Sequence, residues 1–410
     1  MSVETPARIA VLGAGPIGLE AALYARYLGY EVDVYERSRV AEHLYQWGHV
    51  RLFTPFGANN SPLGLAALAN QDESWNPPLA DELLTGRELA DRYYLPLSKS
   101  DLLADHIHER TEVLAIGRGG LLKGDLTGED RAHADFRILL RDAHSVEPAG
   151  RRVATADVVI DATGTFSQHN WLGEGGIPAI GELLAERHID YGMPDILGDR
   201  RPDFAHRHTL VVGDGHAAAV NVSALVRLGH DAPYTQATWV VRREADSAGP
   251  IRRIPNDPWP ARDELAEGAN RLVRSELGHL IFCPGTAVRQ VIWHEGLEKF
   301  QIGLSGERAG ELEVDRVIAS VGHRADNQLF AELQVGEDPI RGAATRWPAE
   351  GEEHPDRLLL TTAEPDFYVL GAKSLGRDSR FTIAAGLAQI RELFTILGDR
   401  PDLDLYRAVR

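Results

Sequence analysis

Three glycines near the start of the chain have the spacing that binds a nucleotide pyrophosphate. Gly13, Gly15 and Gly18 follow the order G-x-G-x-x-G between an apolar run typical of a buried strand and a segment with helical periodicity. The first glycine allows a tight turn, the second lets a pyrophosphate approach the backbone, and the third lets helix and strand pack closely. Pro16 suits the first helical turn, where a missing N–H costs nothing. The spacing predicts a dinucleotide on the helix N-terminus. A glycine turn that serves packing alone is the alternative.

An acidic residue stands where the ribose of such a nucleotide would lie. The predicted strand EVDVYER carries Glu36, roughly 20 residues after the glycines, and a carboxylate there can accept hydrogen bonds from a ribose diol. We assign Arg37, the next residue, to the same nucleotide site.

The same pattern of strand, glycine turn and helix returns near the middle of the chain. Gly213, Gly215 and Ala218 form the permitted variant G-x-G-x-x-A after the apolar run HTLVV. His216 starts the predicted helix, where the positive helix end favours a neutral imidazole. We therefore expect His216 to contact a nucleotide or to pack, and not to act as an acid or base.

The second copy differs from the first at the end of its second strand. It carries Arg242 and Arg243 in place of an acid. A guanidinium group matches a 2′-phosphate in charge and geometry, so this copy is predicted to bind NADPH in preference to NADH. The alternative is a solvated surface turn, which the neighbouring Glu244 leaves open.

Composition excludes several classes of protein. The 410 residues include 43 basic and 61 acidic side chains, a formal charge of −18, which disfavours nucleic acid and anionic membranes as partners. No stretch approaches the roughly 18 apolar residues of a membrane-spanning helix, and the first residues do not form an export signal. A single cysteine, Cys283, excludes an internal dithiol pair. We therefore expect a cytoplasmic protein. No group of histidine, cysteine and acidic residues in the sequence has the spacing of metal ligands, so no metal site is predicted.

Together these motifs resemble the two-dinucleotide-binding-domain flavoproteins: the pyridine nucleotide-disulfide oxidoreductases, the thioredoxin-reductase-like enzymes and the flavin-containing monooxygenases. The resemblance implies FAD on the first glycine turn with Glu36 on the adenosine ribose, and NADPH on the second. It also implies that Val113 lies near the adenine. The family's small-residue turns after later strands are matched by Ala162, Thr163, Gly164 and by Ser320, Val321, Gly322.

The implied fold class is α/β, with two Rossmann-like three-layer dinucleotide-binding domains and the NADPH domain inserted into the FAD domain. We place the FAD domain in residues 1–170 and 326–410, a connector in 171–204 and the NADPH domain in 205–325. Residues 39–100 are predicted to form an irregular, substrate-binding loop. The run RRVATADVVIDATG, 151–164, is predicted to be one strand ending in the first small-residue turn.

Three departures from the family pattern narrow the expected chemistry. A glycine-aspartate pair usually holds the flavin ribityl chain, but this sequence has Gly371 and Ala372, so contact there would use the backbone or Lys373 and Ser374. The disulfide reductases carry a cysteine pair, which is absent. The monooxygenase fingerprint FxGxxxH is also absent before the second glycine turn.

The candidate catalytic residues lie in the segment 44–64, which mixes aromatic side chains, a cation and amides. Trp47 could stack on flavin or substrate, His49 could donate a proton, and Arg51 could hold an anionic substrate. The segment also resembles the loop after the first βαβ unit of flavin monooxygenases, where an asparagine faces the flavin, and this resemblance implies that Asn59 or Asn60 could donate to the flavin hydroperoxide. Trp47, His49 and Arg51 also have purely structural interpretations: a lid over the core, a satisfied loop histidine and a structural ion pair, respectively.

The leading hypothesis is a monooxygenase that takes a hydride from NADPH and oxygenates a small nucleophile at N, S or a carbonyl carbon through a flavin C4a-hydroperoxide, with molecular oxygen as second substrate. A flavin reductase or dehydrogenase with a quinone, ferredoxin or other small acceptor is the alternative. A third class is a protein that binds FAD structurally and has lost turnover. Homodimers are the commonest assembly, and the sequence leaves the oligomeric state open.

Overall fold

The chain divides into two compact units, of which the second interrupts the first in sequence. The structure is a computed structural model that describes Val3 and residues 5–145, 150–275, 277–345 and 360–408. Unit 1 comprises Met1–Gly48, Thr54–Gln168 and Arg324–Arg410. Unit 2 comprises His49–Phe53 and His169–His323. Among the described residues no helix is long and apolar enough to span a bilayer.

The described residues form a mixed α/β chain. The strands are β1 (Arg8–Leu12), β2 (Glu31–Tyr35), β3 (Ile107–His108), β4 (Thr111–Arg118), β5 (Phe136–Asp142), β6 (Arg151–Ala156), β7 (Val158–Asp161), β8 (His208–Val212), β9 (Gln236–Val240), β10 (Leu280–Cys283), β11 (Thr286–His294), β12 (Lys299–Gly306), β13 (Gly310–Val314), β14 (Arg316–Ala319), β15 (Gly336–Glu337), β16 (Ala344–Thr345) and β17 (Phe367–Val369). The α-helices are α1 (Pro16–Tyr27), α2 (Glu42–Gln46), α3 (Pro62–Gln71), α4 (Gly86–Leu89), α5 (Leu95–Ser98), α6 (Gly128–Ala132), α7 (Glu182–Ala185), α8 (Arg201–Phe204), α9 (His216–Asp231), α10 (Pro260–Arg274), α11 (Ile383–Leu397) and α12 (Leu405–Ala408).

Unit 1 contains a five-stranded parallel sheet in the order β17-β7-β1-β2-β3. Its central strands are apolar and buried, as expected for parallel strands covered on both faces. The chain passes from β1 to β2 on one side and returns as β7 on the other, which creates the switch point where such sheets bind ligands. Asp161 stands beside Leu12 of β1 and Val369 of β17. The turns that follow these three strands therefore meet at one end of the sheet.

A separate antiparallel sheet, β4-β5-β6, also belongs to unit 1. The prediction of one strand over 151–164 is wrong, because β6 lies in this sheet and β7 in the parallel one. Asp157 separates them: its carboxylate accepts the backbone N–H of Arg8 at 2.7 Å, and its own N–H donates to the Arg8 carbonyl at 2.9 Å. These bonds to β1 fix the point at which the chain changes sheets.

The region 39–100 contains the helices α2, α3, α4 and α5, so the prediction of an irregular loop is wrong for these segments. Ser61 caps α3 by accepting the Gly64 N–H at 2.9 Å, and Pro62 occupies the first turn. Thr85 and Glu88 form a capping box at α4. A π-helical turn, Ala90–Tyr94, then joins α4 to α5. These capping signals are present in the sequence and could have identified the helices.

Unit 2 repeats the arrangement with a four-stranded parallel sheet in the order β10-β9-β8-β14. Helices α9 and α10 cover one apolar cluster, which includes Trp239, and the antiparallel sheet β11-β12-β13 contributes to a second cluster around Phe300. The two Rossmann-like sheets confirm the predicted α/β fold class. Residues 169–204, which include the predicted connector, cluster with unit 2.

Candidate functional site

The first glycine turn is fixed by contacts that leave no room for a side chain at two of its glycines. Gly13 has φ +94°, and a Cβ there would lie 2.9 Å from the Ala162 carbonyl oxygen. A Cβ on Gly18 would lie 1.8 Å from the Gly13 carbonyl oxygen. Packing alone therefore requires glycine at both positions. The close contact between Gly13 and Ala162 also shows that the turn after β7 packs directly against the turn after β1.

Gly15 differs, because nothing in the fold requires glycine there. Its φ is −78°, which any residue adopts, and a Cβ would meet no atom within 4 Å. It is the N-cap of α1, and no side chain caps the helix. The first-turn N–H groups lack intrahelical acceptors. A glycine that leaves open space in front of these donors fits the close approach of an anionic group such as a pyrophosphate.

Glu36 lies beside this turn. Its carboxylate accepts the Ala14 N–H at 2.9 Å and the Ser38 N–H at 2.8 Å. Burial raises the pKa of Glu36, and the two backbone hydrogen bonds oppose that rise. Because a carboxylate has about four acceptor sites, two remain for ribose hydroxyls. Arg37 is exposed, and Val113 packs half-buried against the core formed by β4 and β5.

The turns after β7 and β17 are joined by a fully buried ion pair. The Lys373 ammonium lies 2.6 Å from Asp161 Oδ2 and 3.2 Å from Thr163 Oγ1, and neither charged side chain is exposed. Asp161 Oδ1 accepts both the N–H and the hydroxyl of Thr163, at 3.1 and 2.6 Å. Lys373, predicted as a flavin contact, thus lies in the protein interior. It holds together the two turns that carry predicted cofactor residues.

The backbone of Gly371 is held from α11. Gly371 has φ +74°, which favours glycine, and its N–H donates to Gln389 Oε1 at 2.9 Å. Ser374 donates to the Gly371 carbonyl at 2.7 Å and accepts from Gln389 at 2.8 Å. Ala372 beside it is half-buried. Asp161 and Gln389 were not among the predicted site residues, although a carboxylate at the end of a buried apolar strand was a usable signal for Asp161.

The predicted catalytic residues are divided between the two units. His49 and Arg51 cluster with unit 2 and are exposed, whereas Trp47 belongs to unit 1. Burial lowers the pKa of His49, which favours a neutral imidazole. Trp47 packs against Gly86, where a Cβ would lie 2.8 Å from the indole, and its buried ring N–H has no acceptor among the described residues.

The two asparagines have different hydrogen-bonding capacity. The Asn59 amide donates to the carbonyls of Thr54 and Pro55 at 3.0 and 2.9 Å, so both of its N–H groups are used within its own loop. Asn60 donates to the Phe56 carbonyl at 2.7 Å, which uses one of its two. Both side chains are buried. Of the pair, Asn60 retains the capacity to donate to a ligand.

The second glycine turn, in unit 2, repeats the geometry of the first. Gly213 has φ +134°, and a Cβ there would lie 2.2 Å from the Ser320 carbonyl oxygen. Gly215, the N-cap of α9, has φ −97° and open space at its Cβ position. Ala218 is fully buried, so the third position tolerates a methyl group. Gly322 has φ +80° in the turn after β14.

The histidine and the two arginines predicted to bind the second nucleotide differ in their contacts. Burial and the nearby Arg262 lower the pKa of His216, and the ring lies 5.7 Å from that of Phe53. Arg243 is paired with Asp214 at 3.2 Å and donates to the Pro250 carbonyl at 2.7 Å. Arg242 is exposed and makes no hydrogen bond or ion pair within the described part of the chain. Arg242 is therefore the guanidinium that is free to bind a ligand.

In the part of the chain that the structure describes, no candidate metal centre accompanies these turns, and the single cysteine provides no dithiol. The described residues contain no group of three histidine, cysteine or acidic side chains placed to hold a metal ion. Cys283 is buried at the end of β10, and burial raises the pKa of its thiol.

In fold, the chain is similar to solved flavoproteins that have two dinucleotide-binding domains. It is similar to bacillithiol disulfide reductase from Bacillus cereus, with a TM-score of 0.68 and 17% identity over 96% of this chain and 99% of that one. It is also similar to FAD-bound cadaverine monooxygenase from Erwinia amylovora, with a TM-score of 0.63 and 13% identity over 97% and 95% of the two chains. A third similar structure is ornithine N-hydroxylase from Kutzneria sp. 744, with a TM-score of 0.61 and 17% identity over 96% of this chain and 99% of that one. No protein-family model matches the chain, and no curated protein matches it in sequence.

Proposed function

We propose that the protein is an FAD-dependent oxidoreductase that uses NADPH. The observation that carries this proposal is the pair of uncapped helix N-termini, each with an open glycine, Gly15 and Gly215, that packing does not require. Each stands at the carboxyl end of a parallel sheet, where such folds bind nucleotides. Glu36 supports FAD at the first turn, and the free Arg242 supports the 2′-phosphate of NADPH at the second.

Bound FAD would supply hydride acceptance and onward electron transfer. The residues that would hold it are Gly13, Gly15, Gly18 and Glu36 around the pyrophosphate and ribose, and the turns Ala162–Gly164 and Gly371–Ala372. The backbone of the turn that begins at Gly371 would take the place of the aspartate that the resembling flavoproteins carry next to this glycine, and Gln389 holds this turn by accepting the Gly371 N–H. Lys373 would position these turns, because its ammonium is already paired with Asp161.

The finer proposal is oxygenation of a small nucleophile. The single cysteine, buried in β10, supports it against dithiol exchange. The similar structures include a cadaverine monooxygenase and an ornithine N-hydroxylase. Within the chain, Asn60 has an N–H available to donate, and His49, with its lowered pKa, can accept a proton near neutral pH.

A reductase that passes electrons to a quinone, a ferredoxin or another small acceptor is the second candidate. It is favoured by the similarity to bacillithiol disulfide reductase. It is also favoured by the Asn59 amide, whose two N–H groups both donate to carbonyls of its own loop. In this case the fold would be shared and the dithiol chemistry absent.

Anaerobic mixing with NADPH separates these functions from a structural role. We expect purified, FAD-loaded protein to lose its flavin absorbance when NADPH is added without oxygen. In air, a panel of primary amines, thioethers and ketones should include a compound that lowers the peroxide formed per NADPH and incorporates ¹⁸O from ¹⁸O₂. Bleaching followed by quinone reduction, with no ¹⁸O in any product, would replace the monooxygenase proposal with the reductase. An unbleached flavin would overturn both.

Replacing Arg242 with alanine should raise the Kd for NADPH about 10- to 100-fold and leave the Kd for NADH nearly unchanged. A hydrogen bond to a charged group contributes about 1.5–3 kcal/mol, and only NADPH carries the 2′-phosphate. Arg243→Ala is the matched variant: since Arg243 is already paired with Asp214, its loss should affect both nucleotides alike. Calorimetric titration measures both constants. Equal losses of both nucleotides in Arg242→Ala would remove the assignment of cofactor preference.

A further inference from the structure

A buried carboxyl group on α1 supports the segment that carries the two asparagines. Glu20 is 1% exposed, and its Oε1 accepts the Tyr93 hydroxyl at 2.6 Å. The Tyr93 oxygen in turn accepts the Ser61 N–H at 3.1 Å. The next residue, Tyr94, donates its hydroxyl to the Asn59 carbonyl at 2.9 Å. Two adjacent tyrosines thus bind the backbone on both sides of Asn60.

The local structure is built around these contacts. Both tyrosines are fully buried and come from the π-helical turn Ala90–Tyr94, a feature that is frequent at functional sites. A Cβ on Gly64 would lie 1.9 Å from the Tyr93 hydroxyl, so the start of α3 leaves room for that hydroxyl only because residue 64 is glycine. Glu20, Ser61, Gly64, Tyr93 and Tyr94 are called here the Glu20 cluster.

We propose that Glu20 is a positioning residue that, through Tyr93 and together with Tyr94, fixes the backbone of Asn59–Ser61 and so the direction of the Asn60 amide. This inference rests on the proposed function, which places Asn60 at the reacting site. Removing the Tyr93 hydroxyl would leave the Ser61 N–H and the Glu20 carboxyl without their shared partner.

The carboxyl group is suited to act as a neutral hydrogen-bond acceptor. Its second oxygen, Oε2, has no partner among the described residues, and burial raises the pKa of Glu20 to about 7. The ionisable groups that face it from the packed elements are Tyr93 and Tyr94 from the π-helical turn and Tyr406 from α12; burial raises the pKa of each above its ordinary value. Asp404, near Tyr406, is paired with arginines at 3.3 and 3.6 Å. The carboxyl of Glu20 therefore titrates near neutral pH without a compensating cation in the cluster.

The sign of the pH effect follows from this raised pKa. The unfolded chain loses the Glu20 proton near the ordinary value of 4.5, whereas the folded protein keeps it up to about 7. Ionisation of Glu20 therefore destabilises the folded protein. This destabilisation grows as pH rises from about 4.5 to about 7 and is constant above that range. Glu20→Gln keeps a neutral acceptor for Tyr93 and should remove this part of the pH dependence, so that its Tm exceeds that of the wild type at pH 8 by more than at pH 5.

Hydrogen exchange tests the positioning role without requiring turnover. In the full-length protein, Tyr93→Phe should speed exchange in a peptide covering 54–64 at least tenfold, while Glu20→Gln should leave it close to the wild-type rate. Tyr45→Phe, which removes an exposed hydroxyl bonded to Asp91, is the control and should change nothing in this peptide. Unchanged exchange in Tyr93→Phe would overturn the proposal.

Turnover supplies the second readout. Tyr93→Phe should raise the peroxide released per NADPH several-fold with FAD content unchanged. Glu20→Gln should keep the coupling near that of the wild type and flatten the pH profile of kcat near 7. A fall in Tm with unchanged coupling and an unchanged pH profile would reduce the cluster to a structural role and overturn the proposal. If wild-type protein shows no NADPH turnover, the proposed function fails, and the exchange measurement still decides whether Glu20 and Tyr93 fix the segment.

Discussion

Replacing Lys373 with methionine should lower the free energy of unfolding by about 3–5 kcal/mol, because it leaves the Asp161 carboxylate buried without its cation. Asp161 keeps only the two hydrogen bonds from Thr163. The loss should exceed that of most single substitutions, which lie at about 0.5–3 kcal/mol. Denaturant unfolding followed by circular dichroism measures it, with both units monitored.

Two further variants separate the lost charge from lost packing. The double variant Lys373→Met with Asp161→Asn removes both charges and retains an oxygen for the Thr163 N–H, so it should recover more than half of the loss. Lys123→Met, at an exposed lysine of the same unit that is bonded to the Ala331 carbonyl, should leave the midpoint unchanged. A double variant as unstable as Lys373→Met would show that the ion pair is not the cause.

This ion pair is proposed to position the FAD site. It ties the turn Ala162–Gly164 to the turn that begins at Gly371, and both are proposed to contact FAD. Partial loss of FAD from Lys373→Met, with recovery in the double variant, is therefore expected, because the pair would position the cofactor site without touching the cofactor.

Replacing Gly15 with alanine should raise the Kd for FAD about 100-fold or more, equivalent to about 2.7 kcal/mol, and leave the fold intact. The methyl group would occupy the open space in front of α1 in which a pyrophosphate approaches the backbone. The protein itself tolerates the change, because φ is −78° and a Cβ meets no neighbour within 4 Å. Absorbance at the flavin band after purification, followed by titration of the FAD-free protein, measures the effect.

Gly215→Ala is the matched control in unit 2. It should retain FAD and bind NADPH about 100-fold more weakly, since its geometry repeats that of Gly15. Gly15→Ala should therefore lose affinity for FAD, whereas Gly215→Ala should lose affinity for NADPH. Loss of FAD in both, or in neither, would contradict the assignment of one nucleotide to each turn, whereas a fall in Tm for Gly15→Ala alone would indicate a packing role.

The hydrogen-bonding of the candidate catalytic segment could not be read from residue types. Asn59 and Asn60 are adjacent amides, yet Asn59 uses both N–H groups within its own loop and Asn60 uses one. Likewise Arg242 is free and Arg243 is paired with Asp214. Asn59 and Asn60 were predicted as alternatives, and Arg242 and Arg243 as a pair; the tertiary contacts distinguish the members of both sets.

The sequence by itself determined the two glycine turns, because strand, turn and helix start form a local pattern that needs only a few successive residues. It also determined the α/β class, since long apolar runs predict parallel strands buried on both faces. Only the tertiary structure decided that Lys373 pairs with Asp161 and that Glu20 supports Ser61 through Tyr93. Those partners are far apart in the chain. Which groups become paired depends on how the distant segments pack around them, and the spacing of residues in the sequence does not specify this packing.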